Sequence, residues 1–288
     1  MGSYASIDSS ILPAAEARVS VLDNGFTFGD SVYETLRTYG GRPFALDRHL
    51  RRLRASASRL GIDLTVGDLE LQGRLDAVLE AAKNPESYIR FIVTRGVGDL
   101  SYHFERVKGP TVVIVVKPFE FPPEQVYRDG IAVSLVHVTR NHPRALDPAI
   151  KSCNLLNSIL ALREAQAQGS AEALMLNAEG HLAEGASSNI FLVKEKKVLT
   201  PPLGAGILAG ITREVILELL PTLSLRGGEA PLLPEDLKNA DEAFISSSLR
   251  EAAPIRAVDG IPIGSGRPGP VTLAILAAFR EAAPGLSR

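Results

Sequence analysis

Apolar residues recur along this chain in two patterns. At 47–61 and 67–83 they return every three or four residues, the period of a helix with one buried face. The first run closes near Gly61 and the second ahead of Asn84-Pro85, both helix-stop signals. Tyr88-Ile89-Arg90-Phe91-Ile92-Val93-Thr94 and Thr111-Val112-Val113-Ile114-Val115-Val116 are short and rich in β-branched residues, and they predict strands. A loop over about 95–109 joins them. Residues 18–40 predict a strand, a turn, a short helical step and a second strand, with Asp23-Asn24-Gly25 and Phe28-Gly29-Asp30 in the middle.

The Pro-rich segment Pro118-Phe119-Glu120-Phe121-Pro122-Pro123 interrupts both patterns and predicts a domain link. It divides the chain into a small N-terminal domain over 1–118, a linker over 119–130 and a larger C-terminal domain over 131–288. Beyond the link, a strand is expected from Ile131 to Val138. A helix then carries Leu155, Leu156, Ile159, Leu160 and Leu162 and is closed by Gly169. Ala173 to Leu176 and Ser188 to Val193 are expected to form a strand pair joined through Ala178-Glu179-Gly180. A helix over 213–220, a strand from Glu242 to Ser246 and a final helix over 271–282 complete the reading. Helices mixed with sheet hairpins point to an α+β fold in two layers.

Charge and composition narrow the function classes. The 288 residues carry a net charge of −2, which leaves no broad basic surface for nucleic acid. The basic run Arg48-His49-Leu50-Arg51-Arg52-Leu53-Arg54 has interleaved leucines and reads as a helix. One cysteine, Cys153, rules out an intrachain disulfide framework and suits a reducing compartment. Five histidines show no metal-ligand spacing, so no metal is expected. No apolar run approaches the roughly 20 residues that span a bilayer, and the N-terminus lacks a signal-peptide pattern. The expectation is a cytoplasmic protein with no membrane partner.

Lys151 is the candidate reactive group. It follows the Asp147-Pro148 turn and precedes an apolar helix, and a partly desolvated amine at such a junction can act as a nucleophile. Glu184 stands among small residues in Glu184-Gly185-Ala186-Ser187-Ser188-Asn189-Ile190-Phe191, where a carboxylate could hold a protonated ring nitrogen. Gly210-Ile211-Thr212 opens a helix whose free amides can cradle a phosphate. Ser246-Ser247-Ser248 offers hydroxyls and amides to an anion, and Arg52 a planar fork of donors.

In this order the features resemble the class IV aminotransferases, the fold-type IV enzymes dependent on pyridoxal phosphate. The residues that carry the resemblance are Phe28-Gly29-Asp30-Ser31-Val32-Tyr33-Glu34, His49-Leu50-Arg51-Arg52-Leu53, Lys151-Ser152 with Asn154, the Glu184–Phe191 run and Gly210-Ile211-Thr212-Arg213. The resemblance implies a two-domain fold, a small α/β N-terminal domain and a larger one with a pseudo-barrel sheet. It implies Lys151 as the catalytic residue that forms the internal aldimine with pyridoxal 5'-phosphate. Glu184 would hold the ring nitrogen, with Ser187, Ser188 and Asn189 beside it. Arg52, Ile211, Thr212, Ser247 and Ser248 would complete the cofactor site. Tyr33, Arg37, Tyr88, Arg90 and Leu249 would face the substrate, and the chain would work as a homodimer.

The same resemblance leaves the substrate divided. Arg37 and Tyr88-Ile89-Arg90 look like the branched-chain amino acid aminotransferases, which usually carry Tyr where this chain has Leu155. Lys151-Ser152 with Asn154-Leu155-Leu156 looks like the D-amino acid aminotransferases, whose Arg-x-His is replaced here by Leu100-Ser101-Tyr102. Transamination of an apolar amino acid with 2-oxoglutarate is the leading expectation. D-amino acid or (R)-amine transamination is the alternative, and cleavage of aminodeoxychorismate a third.

Overall fold

The computed structural model describes residues 1–287. They separate into two compact units. The first gathers Met1–Glu120, the short segment Ile150–Asn154 and the chain from Ala283 onward. The second gathers Phe121–Ala149 and Leu155–Ala282. No helix among the described residues is long and apolar enough to cross a membrane.

The first unit contains β1 (Tyr4–Ile7), β2 (Ser10–Pro13), α1 (Asn24–Phe28), β3 (Ser31–Tyr39), β4 (Arg42–Pro43), α2 (Leu46–Arg59), α3 (Asp68–Ala82), β5 (Ser87–Thr94) and β6 (Thr111–Pro118). Its sheet runs in the order β2-β1-β6-β5-β3-β4. The hairpin β1–β2 lies where the sequence pattern gave no element. The strand expected just before Asp23 is absent, and turns lead into α1 instead. There the Asp23 carboxylate accepts from Gly25 N, and Gly29 ends the helix at φ 67.

Strand alternation sorts the side chains of this sheet. Val32 and Leu36 of β3 and Ile89, Phe91 and Val93 of β5 are buried against Leu50, Leu53, Leu71, Leu75 and Val78 of α2 and α3. Removing that apolar surface from water, at roughly 25 cal/mol per Å², holds the layer together. On the opposite face the register pairs Thr35 with Arg90 and Arg37 with Tyr88, two residues on from Tyr33.

Ile150–Asn154 lies along the margin of β3. Tyr33 N donates to Lys151 O at 2.9 Å and Cys153 N to Ser31 O at 2.8 Å. Ile150 packs against the core, and Lys151 N donates to Ser56 Oγ of α2 at 3.1 Å. The division by contact therefore departs from a simple cut at the Pro-rich link. An uncovered strand margin needs partners for its backbone groups, and this segment supplies them.

The second unit contains α4 (Glu124–Asp129), β7 (Ile131–Leu135), α5 (Leu156–Ala167), β8 (Glu172–Leu176), β9 (Leu182–Gly185), β10 (Asn189–Lys194), β11 (Lys197–Thr200), α6 (Ile211–Leu219), β12 (Arg226–Glu229), α7 (Pro234–Lys238), β13 (Glu242–Ser247), β14 (Glu251–Val258), β15 (Ile261–Pro262) and α8 (Pro270–Leu286), whose last turn is counted with the first unit. Its sheet runs β12-β11-β10-β13-β14-β7-β8-β9, and β15 pairs with β14. The expected pairing of 173–176 with 188–193 is corrected: β8 pairs with β9, while β10 pairs with β11 and β13. Gly185 N donates to Ser188 O, which brings the end of β9 back beside β10 and curls the sheet.

Candidate active site

The first unit brings Lys151 and Arg90 to one aromatic ring. Lys151 Nζ lies 4.3 Å from the centroid of Tyr33, and the Arg90 guanidinium lies 4.2 Å from it. Both contacts place a cation against a ring quadrupole. Burial works against the charge on Arg90. Its hydrogen bond with Tyr88 and the nearby Tyr33 and Cys153 outweigh that, so its pKa is raised above the ordinary arginine value. Arg90 has no carboxylate partner among the described residues.

Arg37 is placed differently. It is 4% exposed, and its guanidinium packs 4.2 Å from the Tyr39 ring and 4.1 Å from the Phe119 ring. Its Nε donates to Thr38 O at 3.1 Å. Packed this way, Arg37 braces β3. Of the two arginines read as substrate-facing, Arg90 shares a ring with Lys151.

On the core face of the same sheet lies a charged cluster the apolar pattern did not announce. Glu34 is fully buried and accepts from Arg52 Nε and Nη2 at 2.7 Å each, and from His49 Nδ1 at 2.7 Å. Burial raises the pKa of Glu34, but Arg52 and His49 together hold it down at about 2. Burial lowers the pKa of His49. Arg52 and Lys151 push the same way, against the pull of Glu34. A neutral imidazole that donates Nδ1–H to Glu34 satisfies this balance, with the tautomer assigned from that bond. His49 Nε2 is buried without a partner. Arg52 is thus aimed by Glu34.

In the second unit Glu184 is 5% exposed and held on both oxygens. Arg140 Nε donates to Oε1 at 2.8 Å, while Asn189 Nδ2 and Leu208 N donate to Oε2 at 3.3 and 3.1 Å. Asn157 Oδ1 accepts from Arg140 Nη1 at 3.0 Å and so fixes the arginine in turn. Asn189 also donates to Leu208 O at 3.0 Å, so its role here is to set the carboxylate. Ile211 and Thr212 open α6, where the first amides have no intrahelical acceptor. Thr212 Oγ1 and Ser246 Oγ are buried and unpartnered.

The serines of the Glu184 run turn elsewhere. Ser187 Oγ and Ser188 Oγ donate to Glu172 Oε2 at 3.0 and 3.2 Å. Arg250 donates to the same oxygen, and Glu172 is fully buried. Ser247 ends β13, and Ser248 and Leu249 lie half-buried in the turn before β14. Arg140, Glu172 and Arg250 escaped the sequence reading. Each stands outside any recognisable spacing, and only an acidic residue opening an apolar strand, at Glu172, hinted at a buried charge.

Comparison with known proteins gives the family. A family model described as amino-transferase class IV matches residues 31–258. A putative branched-chain-amino-acid aminotransferase of Methanocaldococcus jannaschii is 37% identical over 278 residues, which is 96% of this chain and 94% of that protein. A D-alanine aminotransferase of Bacillus licheniformis is 34% identical over 271 residues, 94% of each. The solved branched-chain aminotransferase of the thermophilic archaeon Thermoproteus uzoniensis, with norvaline, superposes with a TM-score of 0.91 at 32% identity, covering 99% of this chain and 96% of that one.

Proposed function

Because this chain belongs to the class IV aminotransferases, which depend on pyridoxal 5'-phosphate, we propose that it transfers the amino group of an apolar, branched-chain type amino acid to 2-oxoglutarate. One observation carries the reading: the candidate amine, Lys151, and an arginine without a carboxylate partner, Arg90, share the Tyr33 ring. A carboxylate-binding arginine lets a pocket take the acidic side chain of glutamate as well as an apolar one.

The residues present fit the cofactor. Two buried hydroxyls, Thr212 Oγ1 and Ser246 Oγ, need partners, and the amides opening α6 are oriented donors that suit a phosphate. The bound cofactor supplies an electron sink for charge that develops at the substrate Cα. Lys151 Nζ takes the Cα proton and later gives it up. Glu184 would hold the ring nitrogen, with its carboxylate kept in place by Arg140 and Asn189. In the first unit Arg52, steadied by Glu34, would serve the phosphate, and in the second unit Ile211, Thr212, Ser247 and Ser248 would serve it. Tyr33 and Tyr88 would line the substrate side of β3 and β5, and Arg90 would take the distal carboxylate of 2-oxoglutarate.

The test is a half-reaction. Purified holoenzyme is mixed separately with L-leucine and D-alanine while the cofactor absorbance is followed. Bleaching by L-leucine alone is the expected result. Bleaching by D-alanine alone would move the enzyme to the second reading, which Leu155 and the D-alanine aminotransferase relative favour. Normal turnover by a Lys151→Ala variant would defeat the mechanism.

The enzyme is proposed to act as a homodimer in the cytoplasm. The lone thiol Cys153 suits a reducing compartment. The first unit carries the exposed apolar residues Val21, Phe26, Tyr102 and Phe104, a surface suited to a second copy.

A further inference from the structure

The face of the first unit's sheet that turns away from α2 and α3 reads in rows across three strands. The register sets Arg37 of β3, Tyr88 of β5 and Lys117 of β6 in one row, and Thr35, Arg90 and Val115 in the next. Strand alternation brings Tyr33 to the same face. Contacts join these positions into a ladder of cations and rings. Lys117 Nζ lies 5.2 Å from the centroid of Tyr88. Tyr88 is hydrogen-bonded with Arg90. Arg90 and Lys151 then share the Tyr33 ring. The whole ladder, from Lys117 to Lys151, belongs to the first unit.

The ladder carries charge of one sign. No position on this face of β3, β5 or β6 is acidic, and Lys117 forms no ion pair among the described residues. Its outer end is open: Lys117 is exposed, whereas Tyr88, Arg90, Tyr33 and Lys151 are half-buried. A lysine ammonium is a strongly hydrated charge on a flexible stem. Here it lies over the Tyr88 ring, inside the distance of about 6 Å at which a ring quadrupole attracts a cation. Unneutralised charge beside ring walls of low dielectric focuses its field outward and raises the local concentration of anions.

Coulomb energy scales with the charge of the visitor. An apolar amino acid is a zwitterion without net charge, its 2-oxo acid is a monoanion, and 2-oxoglutarate is a dianion. A field of one sign therefore separates the three. We infer that Lys117 is a specificity-determining residue that draws the dianionic amino acceptor onto this sheet face ahead of Arg90. The inference rests on the transamination reading and adds to it a first cation at the exposed end of the ladder.

Rapid-mixing half-reactions of Lys117→Gln, Lys117→Glu and Lys117→Arg test it. Enzyme loaded with pyridoxamine phosphate is mixed with each 2-oxo acid, and enzyme loaded with pyridoxal phosphate with the amino acid identified above. At low salt Lys117→Gln should lower kcat/KM about fourfold for 2-oxoglutarate and about twofold for the monoanion, because removing one charge about 10 Å away costs a dianion twice what it costs a monoanion. The amino acid should react as with wild type, and the limiting rates should hold for all three. Lys117→Glu should deepen both losses, and Lys117→Arg should restore wild-type values. Salt at about 1 M, where the screening length is about 3 Å, should erase the losses. Melting temperature and cofactor absorbance should not change. Equal losses for all three substrates, or losses that survive 1 M salt, would leave Lys117 a structural part only and overturn the inference. Variants that match wild type at low salt would overturn it too. Wild-type holoenzyme that reacts with the amino acid but not with 2-oxoglutarate would instead overturn the acceptor reading itself, and this inference with it.

Discussion

Arg140 gives Glu184, the carboxylate proposed to hold a ring nitrogen, a charged contact. Arg140 brings a positive charge to that carboxylate, whereas Asn189 and Leu208 N are neutral donors. Arg140→Met should therefore weaken cofactor binding by about tenfold or more, since charge-assisted bonds are about twice as strong as neutral ones. A fluorescence titration of the apoprotein with pyridoxal phosphate measures this, and unchanged affinity would remove Arg140 from the account. Lys151 and Glu184 stand out in the sequence because short motifs surround them. Arg140 does not, because its loop position after β7 has no periodicity and its partner lies 44 residues away. The Glu34 cluster escaped for another reason: β3 alternates in character, and a charge on its core face violates the pattern. That cluster gives stability a pH dependence. Glu34 is depressed to about 2 in the folded protein, so its contribution of about 3 kcal/mol is present above the unfolded carboxylate pKa and is lost as pH falls through it toward 2. His49 is also depressed. The unfolded chain takes up a proton first, and stability therefore already falls as pH drops below the ordinary histidine range. Urea melts between pH 7 and 3 should show both steps, and His49→Gln should remove the upper one. A His49→Gln curve that superposes on wild type would contradict this assignment.

At the scale of elements, the helices α2 and α3 and the paired strands β5 and β6 follow the sequence pattern closely, because each has one apolar face and clear stop signals. The hairpin β1–β2 did not declare itself, since β2 is exposed throughout and shows no alternation. Strand β14 is alanine-rich and contains Pro254, which disguises a strand whose first five residues are buried. The β9–β10 error arose because Gly185–Ser188 forms a tight connection within what looked like one loop. Helix α5 also departs from its pattern: it buries Ala161 and Ala165 and leaves Leu156, Ile159 and Leu160 exposed. The start of α6 yields a sharper prediction. A Cβ on Gly210 would lie 1.9 Å from Asn189 Oδ1, so any side chain there must push Asn189 away. Asn189 holds both Glu184 and Leu208 O. Gly210→Ala should therefore weaken cofactor binding more than it lowers the melting temperature. If the variant binds the cofactor as tightly as wild type, Asn189 does not set the Glu184 carboxylate.

For the whole molecule, the question is what covers the apolar surface. Phe26 and Tyr102 are 70% and 83% exposed, and the rings of Phe28 and Tyr102 lie 5.1 Å apart. Gly98 N donates to Leu22 O at 3.1 Å, so the segment before α1 and the loop between β5 and β6 form one surface within the first unit. Aromatic side chains exposed together lose free energy to water, and a contiguous patch beyond a few hundred Å² marks an interface rather than a free surface. A second copy of the chain is the occupant proposed here. Aromatic residues at the centre of an interface carry much of its binding energy, at about 2 kcal/mol or more each. Replacing Phe26 and Tyr102 together by serine should then raise the dimer dissociation constant by about a thousandfold, assuming additive losses. Neither substitution removes a core contact, so secondary structure should be retained. Sedimentation velocity over a dilution series checks the prediction, with circular dichroism as the control for folding. A wild-type chain that sediments as a monomer at micromolar concentration would end the dimer reading. A double variant that remains dimeric would move the interface to another surface, and the exposed row Leu156, Ile159 and Leu160 on α5 is the next one to substitute.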